Sequence, residues 1–425
     1  MTSADRAATI ELYARVRGKT VALTAPLAAE DCVVQTMPDV SPTKWHLAHT
    51  TWFFERFVLG PALPAYRPFD PSYDFVFNSY YNAVGPQYPR AARGHLSRPT
   101  LAQVVEYRTH VDGFVRRLLE DAPAELFERH AFAIELGLNH EEQHQELILT
   151  DIKHVLCTNP LRPAYSDRAP VSAAAAPPLE WLAFDGGLIE IGTNAKDFAF
   201  DNERPRHKVH LEPFTIANRV TTCGEYLEFM HDGGYRRPEL WLSDGWAVCQ
   251  RDGWSAPLYW EGSGGDYRLA TLNGVRAVDP HEPVCHVSFY EADAFARWAN
   301  ARLLHEPEWE RVAAAVPVAG NFVEGGALHP SPAPRAAAGV VLQLYGDVWE
   351  WTASPYLPYP GFQPFSGAFG EYNGKFMCNQ VVLRGGSCLS PRRHLRASYR
   401  NFFPPDARWQ MSGIRLARSR AVGGA

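Results

Sequence analysis

The chain has 425 residues, too many for one hydrophobic core, and 46% of them are hydrophobic, so two compact domains are expected. Its 41 Lys and Arg stand against 47 Asp and Glu, a net charge of −6 with both signs interspersed, which gives no electrostatic footing for nucleic acid or an anionic membrane. Cys32, Cys157, Cys223, Cys249, Cys285, Cys378 and Cys388 are scattered with no C-x-x-C pair, no basic-then-apolar leader precedes the first helical pattern, and no apolar run nears membrane-spanning length; a cytoplasmic protein with free thiols is expected.

In chain order, Ile10, Tyr13, Val16 and Leu23 recur at helical intervals and predict a first helix over about 5–22. A second helix is expected to start with Ser41 as cap and Pro42 at its first position, where the missing N–H costs nothing, and to continue from Thr43 to Phe54. A long connection rich in Tyr, Pro and Arg follows from Ala65 to Pro99, and a structureless stretch of that length is usually functional. The third helix starts at a capping box, Thr100-x-x-Gln103, and runs through Val104, Val111, Phe114, Val115 and Leu118. The fourth opens on Asn139-His140-Glu141-Glu142-Gln143-His144-Gln145-Glu146 and carries Leu147, Ile148, Ile152 and Val155. Four amphipathic helices predict a bundle over 1–165, an architecture that builds metal sites from inward side chains of facing helices. An Ala/Pro-rich linker spans 166–178. From 179 to 425 short strand patterns (Gly187–Gly192, His207–Leu211, Val382–Ser387) alternate with turns and with helical patches at Cys223–Met230 and Tyr290–Asn300, an irregular α+β domain without internal repeat.

The chemistry starts at His140 and His144. Positions i and i+4 share a helix face, so both imidazoles point to one place. Taken literally, His140-Glu141-x-x-His144 is the zinc-protease signature with Glu141 as general base, yet no Gly-x-x-His continuation follows. The plain alternative is two histidines on a Glu/Gln-rich solvated face, so a third ligand decides between them. His49 qualifies best, because Trp45 and Phe53 flank it at four-residue spacing and make its face apolar; His46 is its rival. Three neutral imidazoles leave coordination positions open for substrate and oxygen.

Pro42-Thr43-Lys44-Trp45-His46-Leu47-Ala48-His49-Thr50-Thr51-Trp52-Phe53-Phe54-Glu55, with Leu138–Glu146, resembles the iron-dependent sulfoxide synthases of ergothioneine biosynthesis, whose N-terminal half is a DinB-like bundle. The second half resembles the formylglycine-generating-enzyme fold, a C-type-lectin-like domain, through Gly346-Asp347-Val348-Trp349-Glu350-Trp351-Thr352, Arg384-Gly385-Gly386-Ser387 and Gly413-Ile414-Arg415. The resemblance covers nearly the whole chain. It implies Fe(II) held by His49, His140 and His144, and an O2-dependent joining of a thiol to imidazole C2 of Nα-trimethylhistidine (hercynine) with oxidation of the sulfur. Bond formation and sulfoxidation supply two electrons each, which fully reduces O2 and explains the absence of a nucleotide or flavin fingerprint.

The resemblance also distributes the substrate roles. Gln143 matches a residue contacting the substrate imidazole, and Asn401, Phe402, Phe403, Asp406 and Arg408 match the substrate-binding segment, with the two Phe rings as cation–π walls for the trimethylammonium. Tyr80 and Tyr81 match the tyrosine pair of the cysteine-using branch, where a phenol delivers a proton and steers away from simple thiol dioxygenation. The γ-glutamylcysteine-using branch places its tyrosine in the C-terminal domain. Arg90 and Arg93 are the choices for the thiol donor's carboxylate. There are departures: the copper-binding cysteines of formylglycine-generating enzymes are replaced by Ser390 and Leu395, which leaves that domain a substrate wall, and no methyltransferase domain follows. Arg302-Leu303-Leu304-His305-Glu306 replaces the usual Arg-Leu-Pro-Thr-Glu. The expectation is therefore a cytoplasmic enzyme joining L-cysteine to hercynine, with a selenosugar-using selenoneine synthase and a non-catalytic metal- or ligand-binding module as alternatives.

Overall fold

A computed structural model describes residues 3–168 and 175–420. The centre of the expected Ala/Pro linker, 169–174, lies outside the described residues. The chain forms two compact units, one running to Tyr165 and taking in Phe365–Tyr372, the other Ser166–Pro364 with Asn373 onward. The domain division expected at 166–178 has no counterpart for Phe365–Tyr372, which packs with the helices.

The first unit is the expected helical bundle: Ser3–Ala22, Thr43–Phe54, Leu101–Asp121 and Ala124–Thr158. Thr100 caps the third helix as its sequence requires: its Oγ1 accepts from Gln103 N at 3.2 Å, and its own N–H donates to Gln103 Oε1 at 2.8 Å. Ser41, by contrast, does not cap the second helix. Pro42 occupies the cap position and no side chain bonds there, because the Ser41 N–H donates to Asp151 and its hydroxyl accepts from Arg93. The second helix runs on as a π-helical turn, Glu55–Leu59, a feature that often accompanies a functional site. It lies close against the fourth helix at Gly137, where a Cβ would sit 2.8 Å from the Phe54 ring. The connection from Ala65 to Pro99 is not structureless, since it contains a helical turn, Tyr73–Val76, and a 3-10 turn, Arg90–His95.

The second unit is built on two four-stranded sheets. One orders Trp181–Phe184, Phe214–Ala217, Leu416–Ser419 and Arg302–Leu303. The other orders Asn401–Phe403, Val381–Arg384, Trp349–Pro355 and Ser412–Gly413, with Val382 opposite Phe402 and Arg384 opposite Glu350. Gly187–Ile191 pairs with His207–Leu211, and Trp260–Ser263, Asp266–Thr271 and Gly274–Ala277 form a meander that the sequence patterns did not predict. The marker motifs are framework. Glu350 is buried, accepts from Arg415 Nε and Nη2 at 2.9 and 2.8 Å, and takes the Trp309 indole N–H at 2.9 Å. Gly346 has φ +76°, and a Cβ there would meet Asn321 O at 2.4 Å, so this position requires glycine. The altered stretch at Leu304-His305 is the start of the helix Glu306–Ala313, with the His305 N–H donating to Glu308.

Candidate metal centre

The second and fourth helices bring three imidazoles together. His49, His140 and His144 are buried, and each offers a ligand nitrogen within 4.8 Å of the others. His49 Nε2 lies 3.2 Å from His140 Nε2. Helical periodicity sets the His140/His144 pair, whereas His49 depends on the close approach at Gly137. The solvated-face alternative is excluded by this burial.

The electrostatics suit a cation. Burial pushes the His49 imidazole well below its usual range, with His140 adding to the effect, and takes His140 down to about 3. Burial, then His140 and His49, likewise lowers His144. All three are therefore neutral near pH 7 and offer lone pairs, as a divalent metal requires. Trp45 stacks on His49 at 4.6 Å and 12°, and Trp52 at 5.6 Å and 19°, so His49 is buried among aromatic rings.

Glu141 is not a base at this centre. It faces the first and third helices, fully buried, with one oxygen accepting from Arg17 Nη1 at 2.7 Å and the other from Arg108. Burial would raise this carboxyl, but Arg108 and Arg17 pull it down to about 2. The zinc-protease reading fails on that geometry. The rival ligand His46 also drops out, because its Nδ1 is 2.8 Å from His144 Nδ1 and its Nε2 3.0 Å from Asp151 Oδ2, leaving neither nitrogen for a metal.

Three tyrosines form a chain of rings that reaches His140. Tyr81 is fully buried, 5.8 Å from Trp52 and 5.0 Å from Phe57 between ring centroids, and burial with Tyr80 and Tyr372 beside it raises its hydroxyl well above the ordinary range. Tyr80 lies against Tyr81 at 4.7 Å, tilted by 31°, and meets Tyr372 edge-on at 6.1 Å. Tyr372 was not among the residues singled out in the sequence. Its hydroxyl donates to Gln143 Oε1, and its ring is 5.6 Å from that of His140. Glu371 ties the two tyrosine segments together, accepting from Asn82 N at 2.9 Å and Ala83 N at 2.8 Å. The available signal was the long connection between Pro355 and Val381, rich in aromatic residues and without a strand.

The two candidate arginines separate. Arg90 is exposed and donates to the Asp39 carbonyl. Arg93 is buried, donates to Ser41 Oγ at 2.9 Å, and lies 3.4 Å over the Trp45 ring. With Lys44 and Phe77 it lines a small cavity that has no acidic residue in its wall.

Comparison with known proteins decides the family. Residues 12–148 match the DinB superfamily, and 168–340 with 329–420 match the sulfatase-modifying factor enzyme 1-like domain. A hercynine oxygenase of Mycobacterium tuberculosis is 34% identical over 95% of this chain and 97% of its own length, and one of Mycolicibacterium thermoresistibile 33% over 89% and 88%. The chain belongs to the hercynine oxygenase family. A formylglycine-generating enzyme of Streptomyces coelicolor is 27% identical over 59% of the chain and 95% of its own length.

This hercynine oxygenase family member is an enzyme, an oxidoreductase with a DinB-type bundle and a sulfatase-modifying-factor-type second unit. All seven cysteines are free thiols, and no helix among the described residues is long and apolar enough to cross a membrane. In the second unit, Phe402 and Phe403 are strand neighbours and point to opposite faces. Phe402 stacks on Tyr356 at 4.0 Å, whereas Phe403 meets Trp409 edge-on at 5.7 Å. The two rings therefore enter separate aromatic groups. Asn401 Oδ1 accepts from the Phe402 N–H at 2.9 Å, and Asp406 is exposed. Arg408 turns inward, donating to Ala256 O at 2.7 Å and lying 4.4 Å over Trp254. The positions of the missing copper ligands are buried, with Ser390 Oγ accepting from Ser387 N at 2.9 Å and Leu395 in the core.

Proposed function

We propose that this chain is a cytoplasmic, Fe(II)-dependent sulfoxide synthase that joins a thiol to imidazole C2 of hercynine. The observation that carries this reading is the buried triad of neutral imidazoles, His49, His140 and His144, in a chain that covers hercynine oxygenases almost end to end. When bound there, Fe(II) supplies the thiolate affinity and one-electron chemistry through which O2 reacts. One C–H and one S–H are lost, a C–S and an S–O bond form, and O2 leaves one oxygen on sulfur and one in water.

The chain's own groups divide the remaining work. Trp45, Trp52 and Phe53 exclude water around the imidazoles. Gln143 offers its amide to the substrate imidazole, and Tyr372, already bonded to Gln143, holds that amide in place. Arg93 takes the donor's carboxylate, since this buried guanidinium lines a cavity whose wall has no acidic residue; Arg90 is the less suited of the two. Phe402 and Phe403 present aromatic faces, the chemistry that recognises a quaternary ammonium. The Tyr80 and Tyr81 hydroxyls hold the proton that favours sulfoxide over sulfinate.

Cysteine is the donor that the Tyr80/Tyr81 pair favours. The position of Tyr372 against His140 favours a second reading, γ-glutamylcysteine, because that branch carries its tyrosine in the C-terminal domain. Iron-loaded protein given hercynine with cysteine, γ-glutamylcysteine or a selenosugar, followed by oxygen electrode and mass spectrometry, separates these. One O2 consumed per sulfoxide formed is expected. No O2 uptake with any donor, at full iron loading, would sink the enzymatic assignment to hercynine.

A further inference from the structure

Each ligand imidazole gives one nitrogen to the centre, and the other nitrogen meets something different in each. His49 Nδ1 is 2.6 Å from Phe77 O, and a carbonyl only accepts, so His49 carries its proton on Nδ1. His140 Nδ1 is buried without a hydrogen-bond partner among the described residues. His144 Nδ1 is 2.8 Å from His46 Nδ1, and His46 Nε2 is 3.0 Å from Asp151 Oδ2. All the groups of this last chain are buried: Asp151 is 3% exposed, His46 2% and His144 8%.

Proton accounting allows one arrangement of neutral rings. A carboxylate only accepts, so the His46 proton sits on Nε2 and is donated to Asp151. His46 Nδ1 then has a lone pair and accepts the Nδ1–H of His144. His144 is left with its lone pair on Nε2. We propose that Asp151 and His46 are positioning residues that fix His144 as the Nδ1–H tautomer and strengthen its Nε2 as a metal ligand. The inference rests on the metal reading given above.

The construction around the chain supports this role. Asp151 lies two turns beyond His144 on the same helix, and His46 reaches in from the second helix. Asp151 is aimed by a backbone donor, since Ser41 N–H donates to the same oxygen at 2.8 Å. Ser41 Oγ in turn accepts from Arg93, so the group assigned to the donor carboxylate and the group that orients His144 share one residue. A carboxylate behind a ligand imidazole raises its donor strength, and losing such a partner commonly costs about 10–100-fold in metal affinity.

The test is Asp151→Asn in the full chain. An asparagine oxygen accepts from both Ser41 N–H and His46 Nε2–H, so the geometry is kept and only the charge is removed. Long-range nitrogen–proton NMR on the metal-free wild type is expected to show His144 protonated at Nδ1 and His46 at Nε2. Anaerobic titration with Fe(II), and with Co(II) followed by its d–d bands, is expected to show about 10–100-fold weaker binding in Asp151→Asn and at least as large a loss in His46→Leu. Metal-free thermal unfolding near that of wild type confirms that Asp151→Asn is folded; if it does not fold, His46→Leu carries the comparison. An Nε2–H tautomer of His144 in the wild type, or wild-type affinity in the folded variants, overturns the positioning role. Failure of the wild type itself to bind either metal overturns the metal reading instead.

Discussion

Both units bury charged and polar groups, and they solve the problem in opposite ways. In the second unit each buried guanidinium has a carboxylate of its own: Arg415 with Glu350, Arg384 with Glu310, Arg400 with Glu306, Arg219 with Glu225. In the first, three imidazoles converge with no carboxylate among them and are held neutral by burial. The contrast recurs within one helix, where Glu141 is locked by Arg17 and Arg108 while His140 and His144 converge with His49. Buried polar groups that satisfy one another are framework. Those that converge as neutral lone-pair donors, with no carboxylate among them, mark a site.

The largest test of that distinction is removal of a ligand. Ala at His49, His140 or His144 is expected to abolish most bound iron and activity while leaving the fold intact, read by iron analysis and circular dichroism. If His49→Ala keeps full iron, the converging triad is not the site.

Next come the hydroxyls. Phe in place of Tyr80, Tyr81 or Tyr372 keeps the ring and should leave iron occupancy unchanged. Proton transfer by a positioned group contributes roughly 10²–10⁴-fold, enough to redirect the reaction toward sulfinate. Quantifying sulfoxide and sulfinate for the three single variants assigns the proton donor; a wild-type ratio in all of them would make these tyrosines packing only.

The framework side is tested at Glu350→Ala. Leaving Arg415 buried and unpaired is expected to cost about 3–5 kcal/mol in urea unfolding, with iron per folded molecule unchanged. Iron loss in proportion to a small stability change would show that the second unit's ion pairs are not merely framework.

The smallest effect is expected at the aromatic faces of the second unit. A desolvated cation–π contact is worth roughly 1–2 kcal/mol, so Leu at whichever of Phe402 and Phe403 meets the ammonium should weaken hercynine binding by about tenfold and that of plain histidine little. Because the two rings point to opposite faces, one variant is expected to carry most of the loss. Equal discrimination in the double variant would place the ammonium recognition on other residues.

What the sequence determined by itself was local or periodic. The four helices, the Thr100–Gln103 capping box, the shared face of His140 and His144 and the inward placement of His49 all follow from spacing along one helix, which backbone geometry enforces before any partner arrives. The marker motifs of the second unit were legible as well, because Gly346 and the Glu350–Arg415 pair each meet a steric or electrostatic demand that few residues satisfy. Only the tertiary structure decided the rest. Ser41 looks like a cap in sequence, yet Asp151 and Arg93 take both its polar groups. His46 looks like a ligand, yet Asp151 and His144 occupy both its nitrogens. Tyr372 reaches Gln143 across 229 positions of chain. A side chain's partners are set by which elements cross near it, and a hydrogen bond made over such a separation leaves no periodic trace in the sequence.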